Sequence, residues 1–218
     1  MGFGLAAIAA GTLVENYGLR IAFWGGSAML FLGLLVSQKL EHNLSKERTS
    51  FRHGAATLLQ NRQFTLFLAM AFAGGLSVAS TNNYLLPYVK ELGAKASIMG
   101  LILMTGTLAE IPILIYSHHL LKRFRPYTLV ILTVAISGVR LLLFASINTP
   151  WLVFPVQLLN GLGYSLMWLA GVAYADQNAP PGLNATAQGL FGAVVSGFGM
   201  AVGGFCGGLL LDVVSGRE

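Results

Sequence analysis

Glu110 and Arg140 are the two charged side chains inside otherwise uncharged apolar runs, and residues of this kind can do work there. An ionisable group in hydrocarbon costs at least about 2.5 kcal/mol on the most lenient scale, so one that is kept usually faces a protein-lined cavity. A carboxyl group can take up and release a proton as its access changes from one side to the other, which suits Glu110 to proton or cation coupling. The alternative is a permanently protonated acid bonded to neighbouring backbone. Arginine presents a planar, always protonated fork of donors, matched to an anionic or hydroxyl-rich solute. Its alternative role is a clamp on carbonyls of adjacent helices. Pro112, two residues after Glu110, removes a backbone donor and is expected to bend that helix near the carboxyl.

Spacing suggests partners for Arg140. At about 1.5 Å rise per residue Arg140 lies roughly 20 Å above the cytoplasmic start of its span, and Gln157 on the following span falls at the same depth. Asn160 is one turn deeper and shares a helix face with Gln157. Their amide oxygens are therefore expected to face the guanidinium. Tyr164 and Trp168 continue the same face and could wall a sugar or base, although packing explains such aromatics as well. Asn82 and Asn83, in the outer part of an earlier span, could contact solute or bond between helices. Glu110 falls about 10 Å above the cytoplasmic edge, too far below Arg140 for a direct ion pair. Gln188 is shallower still and reads as a cap or a bridge between helices.

These residues require elements that cross a bilayer. Six apolar stretches, 21–38, 64–89, 96–117, 127–147, 151–175 and 185–211, each approach the roughly 20 residues that a helix needs to span about 30 Å of hydrocarbon. With 55% hydrophobic and 10% charged residues, the chain has too little polar surface to coat a particle in water. Its net charge of +5 is scattered over loops without interleaved aromatics, so no nucleic-acid surface is expected. Eight Lys and Arg in residues 39–63 and 118–126 stand against four on the other side, which places those two segments in the cytoplasm. Gly199, Gly203 and Gly207 in the last span form G-x-x-x-G steps for close helix contact.

Little here supports enzymatic chemistry. His118 and His119 are adjacent and lack the i, i+4 geometry of a helical metal pair. No G-x-S-x-G, no Cys-His cluster and no paired intramembrane carboxylates occur. Cys206 is the single cysteine, so an intrachain disulfide is impossible. Neither a cofactor nor a metal is expected.

The first apolar run, Gly2 to Val14, is too short to span. Gly11-Thr12-Leu13-Val14-Glu15, followed by Gly18 and Arg20, echoes Gly208-Leu209-Leu210-Leu211-Asp212, followed by Gly216 and Arg217, six spans further on. A six-span repeat is the plan of transporters made from two six-helix halves. The sequence thereby resembles the major facilitator superfamily. Ser137-Gly138-Val139-Arg140 through Gln157, Asn160 and Gly163 resembles the ninth and tenth helices of the lactose permease group. Where that group has lysine, histidine and glutamate, this chain has Gln157, Asn160 and Gly163. Glu110 in Ala109-Glu110-Ile111-Pro112 is similar to the eighth-helix glutamate with which that group binds sugar. Ala179-Pro180 with Asn184-Ala185-Thr186-Ala187-Gln188-Gly189 is similar to nucleoside and phenylpropionate permease-like proteins.

The resemblance implies an all-α, polytopic transmembrane helix bundle of major facilitator type, with six full spans and a partial first helix. Residues 1–38 would close the amino-terminal bundle (part of helix 5, and helix 6), 39–63 would be the cytoplasmic linker, and 64–218 helices 7 to 11, with helix 12 missing. It also implies a multi-pass protein of the cell (inner or plasma) membrane that moves a small polar solute, such as a sugar, nucleoside or aromatic acid, by proton symport. Arg140, Gln157, Asn160, Glu110, Asn82, Asn83, Tyr164 and Trp168 would bind the solute, and Glu110 would couple the proton. The alternatives are a non-transporting subunit or solute sensor on the same bundle, and an intramembrane enzyme. The 218-residue product alone is expected not to transport. Solute flux through it in vesicles, abolished by Glu110→Gln or Arg140→Ala, would contradict that expectation.

Overall fold

The computed structural model describes residues 18, 20–38 and 51–215, all helical apart from short turns. The first copy of the internal repeat and most of the polar stretch before residue 51 lie outside the described residues. The chain divides into two compact units, Met1–Arg48 and Thr49–Glu218. Helix α1 (Arg20–Ser37) belongs to the first. Its large apolar side chains from Phe23 to Val36 are exposed.

The second unit contains α2 (Phe51–Gln60), α3 (Arg62–Glu91), α4 (Ala96–Ile115), α5 (Ser117–Arg123), α6 (Pro126–Ala145) and α7 (Val153–Gln177), the last preceded by a 3-10 turn. It closes with α8 (Asn184–Gly192), a π-helical segment Ala193–Gly199, and α9 (Met200–Ser215), which run on as one rod. Five helical rods in this unit are long and apolar enough to cross a membrane, and α1 contributes a shorter apolar helix. Local chemistry sets several boundaries. Asn61 caps α3 by accepting from the backbone N–H groups of Gln63 and Phe64 at 3.0 and 3.4 Å. Pro126 opens α6 at the position where its missing N–H has no helical role.

Two expectations are corrected. The segment read as a loop after Ser117 is helical through Arg123. Ser117-His118-His119-Leu120-Leu121-Lys122-Arg123 contains no breaker, and Lys122 and Arg123 in its last turn favour a helix C-terminus. Likewise Phe51–Gln60 is an amphipathic helix, with Leu58 only 1% exposed and Gly54 packed beneath Leu183 and Thr186. Pro112 sits inside α4 without ending it, and Tyr116 N–H bonds Pro112 O at 2.9 Å.

Helix α7 lies between α4 and α6, while α3 packs against α6 on one side and against the π segment and α9 on the other. The apolar residues form two cores. One gathers Leu58, Phe64, Phe67, Val130, Met167 and Phe191; the other gathers Leu85, Val89, Ile102, Ile147, Val153 and Val156. Ser77, Arg140, Gln157 and Asn160 occupy the sequence between the two cores on α3, α6 and α7. Helix contact is closest at glycine. A Cβ on Gly161 would overlap the Gly106 carbonyl oxygen, and one on Gly199 would stand 2.7 Å from Gly75 Cα, so backbone meets backbone at both crossings.

Gly161→Val should destabilise the detergent-solubilised chain by about 1–3 kcal/mol or more through overpacking. Gly189→Ala, where an added Cβ meets nothing within 4 Å, should be neutral or stabilising by up to about 1 kcal/mol. Tryptophan-monitored unfolding compares the two.

Candidate functional site

Arg140 is 2% exposed and joins three helices. From α6, its Nη1 donates to Asn160 Oδ1 on α7, and its Nη2 donates to Ser77 O at 2.9 Å and Ser77 Oγ at 2.6 Å on α3. The expected amide partner at position 160 is therefore in place. Gln157, 3% exposed, is not a partner. Its side chain lies on α4, where an added Cβ on Gly106 would come 3.1 Å from Nε2, and its Oε1 has no hydrogen-bond partner. The i, i+3 relation puts both amides on one broad face of α7, but α6 and α4 flank that face and each takes one amide.

Ser77 was not singled out in the sequence. A serine barely lowers the hydropathy of a long apolar run. The available signal was that every donor of a buried arginine needs an acceptor, and Ser77 stands at mid-length in a span that packs on α6.

A second chamber, of about 240 Å³, is lined by Glu110, Leu114, Tyr164, Ser165, Trp168 and Leu169. Glu110 is half-buried there, and among the described residues its carboxyl has no hydrogen-bond or ion-pair partner. The Tyr164 and Trp168 rings meet edge to face at 6.4 Å, and Trp168 in turn packs edge-on against Phe191 at 5.4 Å. Trp168 Nε1 has no acceptor, whereas the Ser165 hydroxyl is committed to Gly161 O at 2.7 Å. The chamber thus offers a carboxyl group and an aromatic wall, while the unpartnered Trp168 Nε1 is buried. Tyr164 also lines the cleft beside Arg140 and Asn160, so it separates the two charged groups and touches both spaces.

The remaining candidates lie elsewhere. Asn83 is exposed, with Nδ2 placed against Gly204 of α9, and the Asn82 side chain is outside the described residues. Tyr84 donates to Gly204 O at 2.6 Å, and Tyr88 reaches Phe144 O at 2.9 Å and Ile147 O at 2.8 Å. Both tyrosines line an apolar cavity of about 190 Å³ between α3 and α6. Gln188 bridges α8 to α7 by donating to Asp176 Oδ1 at 3.1 Å, and Asn184 donates to the same oxygen at 2.9 Å.

Residues 1–218 match the MFS_1 like family. The chain is 24% identical over 216 residues to the uncharacterized transporter YwbF of Bacillus subtilis, covering 99% of this chain and 54% of that protein. It is 27% identical over 213 residues to the maltose permease of Geobacillus stearothermophilus, covering 97% of this chain and 54% of that protein. Among solved structures it is similar to the nucleoside transporter NupG (D323A mutant), with a TM-score of 0.76, 17% identity, and coverage of 95% of this chain and 57% of that one. The chain spans about half the length of these relatives.

Because a buried donor left without an acceptor costs about 1–3 kcal/mol while apolar replacement of both partners can be nearly neutral, Asn160→Leu should destabilise more than the double change Arg140→Leu with Asn160→Leu. A thermal-unfolding double-mutant cycle in detergent should return favourable Arg140–Asn160 coupling.

Proposed function

This chain belongs to the MFS_1 like family of multi-pass membrane transporters, and from that premise we propose that it supplies one wall of the translocation path of a secondary transporter for a small polar solute, driven by protons. Residues 1–38 would close one helical bundle, 39–63 would connect it to the next, and 64–218 would form most of the second. Alternating access would follow from rocking one bundle against the other about a site near the bilayer midplane.

The observation that carries this reading is the chamber between α4 and α7, where Glu110 faces Tyr164 and Trp168 around about 240 Å³. Mostly apolar walls with a few placed polar groups are the usual form of a small-molecule site. The aromatic pair would stack on the face of a sugar or base. Glu110 would accept solute hydroxyls when ionised and carry the coupled proton otherwise. In this reading Arg140 acts one step back. Its fork holds Asn160, and with it the α7 face that presents Tyr164, while Ser77 ties that face to α3. Gln157 and the asparagine pair at Asn82 and Asn83 would contribute from the margins. Maltose permease and the nucleoside transporter carry polar, ring-containing solutes in their names, and a sugar or nucleoside is the solute class that this chamber would suit.

The test is uptake of radiolabelled sugars and nucleosides by proteoliposomes in which the chain is paired with an amino-terminal half from one of its relatives. An inward proton gradient should drive accumulation. Glu110→Gln should slow gradient-driven uptake at least about 10-fold, equivalent to about 1.4 kcal/mol of barrier, and Trp168→Ala should raise KM more than it lowers kcat. Saturable binding without flux in the unaltered pair would favour a sensor.

A further inference from the structure

The turn that leads from α4 back into α6 carries cations and aromatic rings for which the two chambers have no use. Lys122, Arg123 and Arg125 are exposed, and the Tyr116, Phe124 and Tyr127 rings around them are 60%, 44% and 46% exposed. Leu120 and Leu121, on the other side of α5, pack against the apolar core. One face of α5 therefore holds it to the bundle while its basic end points outward. Exposed rings of this kind are favoured at the boundary between hydrocarbon and water.

Helix direction sets the depth of the charges. The apolar span of α4 ends at Ile115, and α5 follows with only Tyr116 between. Lys122 and Arg123 are seven and eight residues past that end, so their Cα atoms lie no more than about 10–12 Å beyond the hydrocarbon. The headgroup layer there is about 5–8 Å deep. Side chains on a helix tilt toward its N-terminus, which for α5 is the membrane side. Both long side chains can thus reach back to the phosphate level while their stems follow apolar surface. Arg125 stands directly before Pro126, where α6 re-enters the bilayer, and meets the same level from the neighbouring helix.

We infer that this turn is a contact site for anionic phospholipid headgroups, with Lys122, Arg123 and Arg125 as the groups that hold the phosphate. The bias of Lys and Arg puts the turn on the cytoplasmic side, and each such cation at an anionic membrane surface raises affinity about 5-fold. Arginine adds a two-pronged match to phosphate oxygens. The inference rests on the membrane fold and not on the transport reading. A chain that binds no sugar or nucleoside would still hold these lipids.

Native mass spectrometry of the purified chain, released from micelles holding equal amounts of dioleoylphosphatidylglycerol and dioleoylphosphatidylcholine, tests the inference. The chain should retain the anionic lipid at least about 5-fold over the zwitterionic one, and less so as ammonium acetate screens the exposed charges. Lys122→Gln, Arg123→Gln and Arg125→Gln combined should lower that preference at least about 5-fold. Lys122→Arg with Arg123→Lys should keep it, as should Lys90→Gln with Lys95→Gln at the opposite ends of α3 and α4. Equal retention of both lipids by the unaltered chain would overturn the assignment. That is the result expected if acids of the polar segment before α2, such as Glu41 and Glu47, answer these cations instead. An undiminished preference in the triple variant, or an equal loss in the Lys90 and Lys95 pair, would overturn it as well. If inorganic phosphate displaces the lipid at equal ionic strength, the turn is a site for free anions and the assignment to the membrane surface falls.

Discussion

The fold is organised around one requirement: a guanidinium held in the middle of an apolar bundle must have its donors met by protein. Arg140 meets most of it by drawing acceptors for its two Nη atoms from two neighbouring helices, Asn160 of α7 and Ser77 of α3, while its Nε is left without a partner. Hydrophobic burial does little to hold helices together in lipid, because the surrounding tails are as apolar as the side chains. Directional bonds and close backbone contact must therefore decide which helices meet and at what rotation. The clamp sets the relation of α3, α6 and α7, and the glycine crossings at Gly106–Gly161 and Gly75–Gly199 fix α4 to α7 and the last rod to α3.

Dispersion then completes the packing on either side of this polar layer. The Phe64, Phe67, Tyr174 and Phe191 cluster at one end has ring centroids as close as 4.4 Å, and the cluster around Val89, Ile102 and Val153 fills the other. Between them the α7 surface is divided. Its Asn160 side meets the arginine, its Gln157 side meets Gly106, and its Tyr164 and Trp168 edge opens on the chamber with Glu110. A single helix thereby connects the structural charge to the space where a solute would sit. That connection gives a physical reason for polar groups to persist at two depths that never touch.

The helical plan was legible residue by residue, because a run such as 127–147 or 151–175 has no alternative in hydrocarbon to a spanning helix. Depth matched Arg140 to Gln157, and only the face that Gln157 shares with Asn160 brought the actual partner, Asn160, into the expectation. Periodicity could not apportion Gln157 and Asn160 between different neighbours, because i, i+3 spacing defines a face and leaves open which helix covers it. Ser77 escaped notice because one hydroxyl hardly alters the hydropathy of a thirty-residue helix. The helices at Phe51–Gln60 and Ser117–Arg123 were missed because polar and basic residues beside a span read as loop, whereas a membrane-edge helix needs only one apolar stripe, here Leu58 beneath α3 and α8.

The sequence by itself determined the solvent, the approximate extents of the apolar helices, of which five described ones are long enough to span and one is shorter, and the two ionisable groups that lipid could not accept. These follow from composition, length and the cost of charge, which are properties of each segment taken alone. Only tertiary structure decided that the two Nη atoms of Arg140 are engaged by Ser77 and Asn160 while Glu110, among the described residues, stands unpartnered beside Tyr164 and Trp168. Rotation of each helix about its own axis is set by the neighbours that surround it, and in a uniformly apolar helix no residue pattern along the chain specifies that angle.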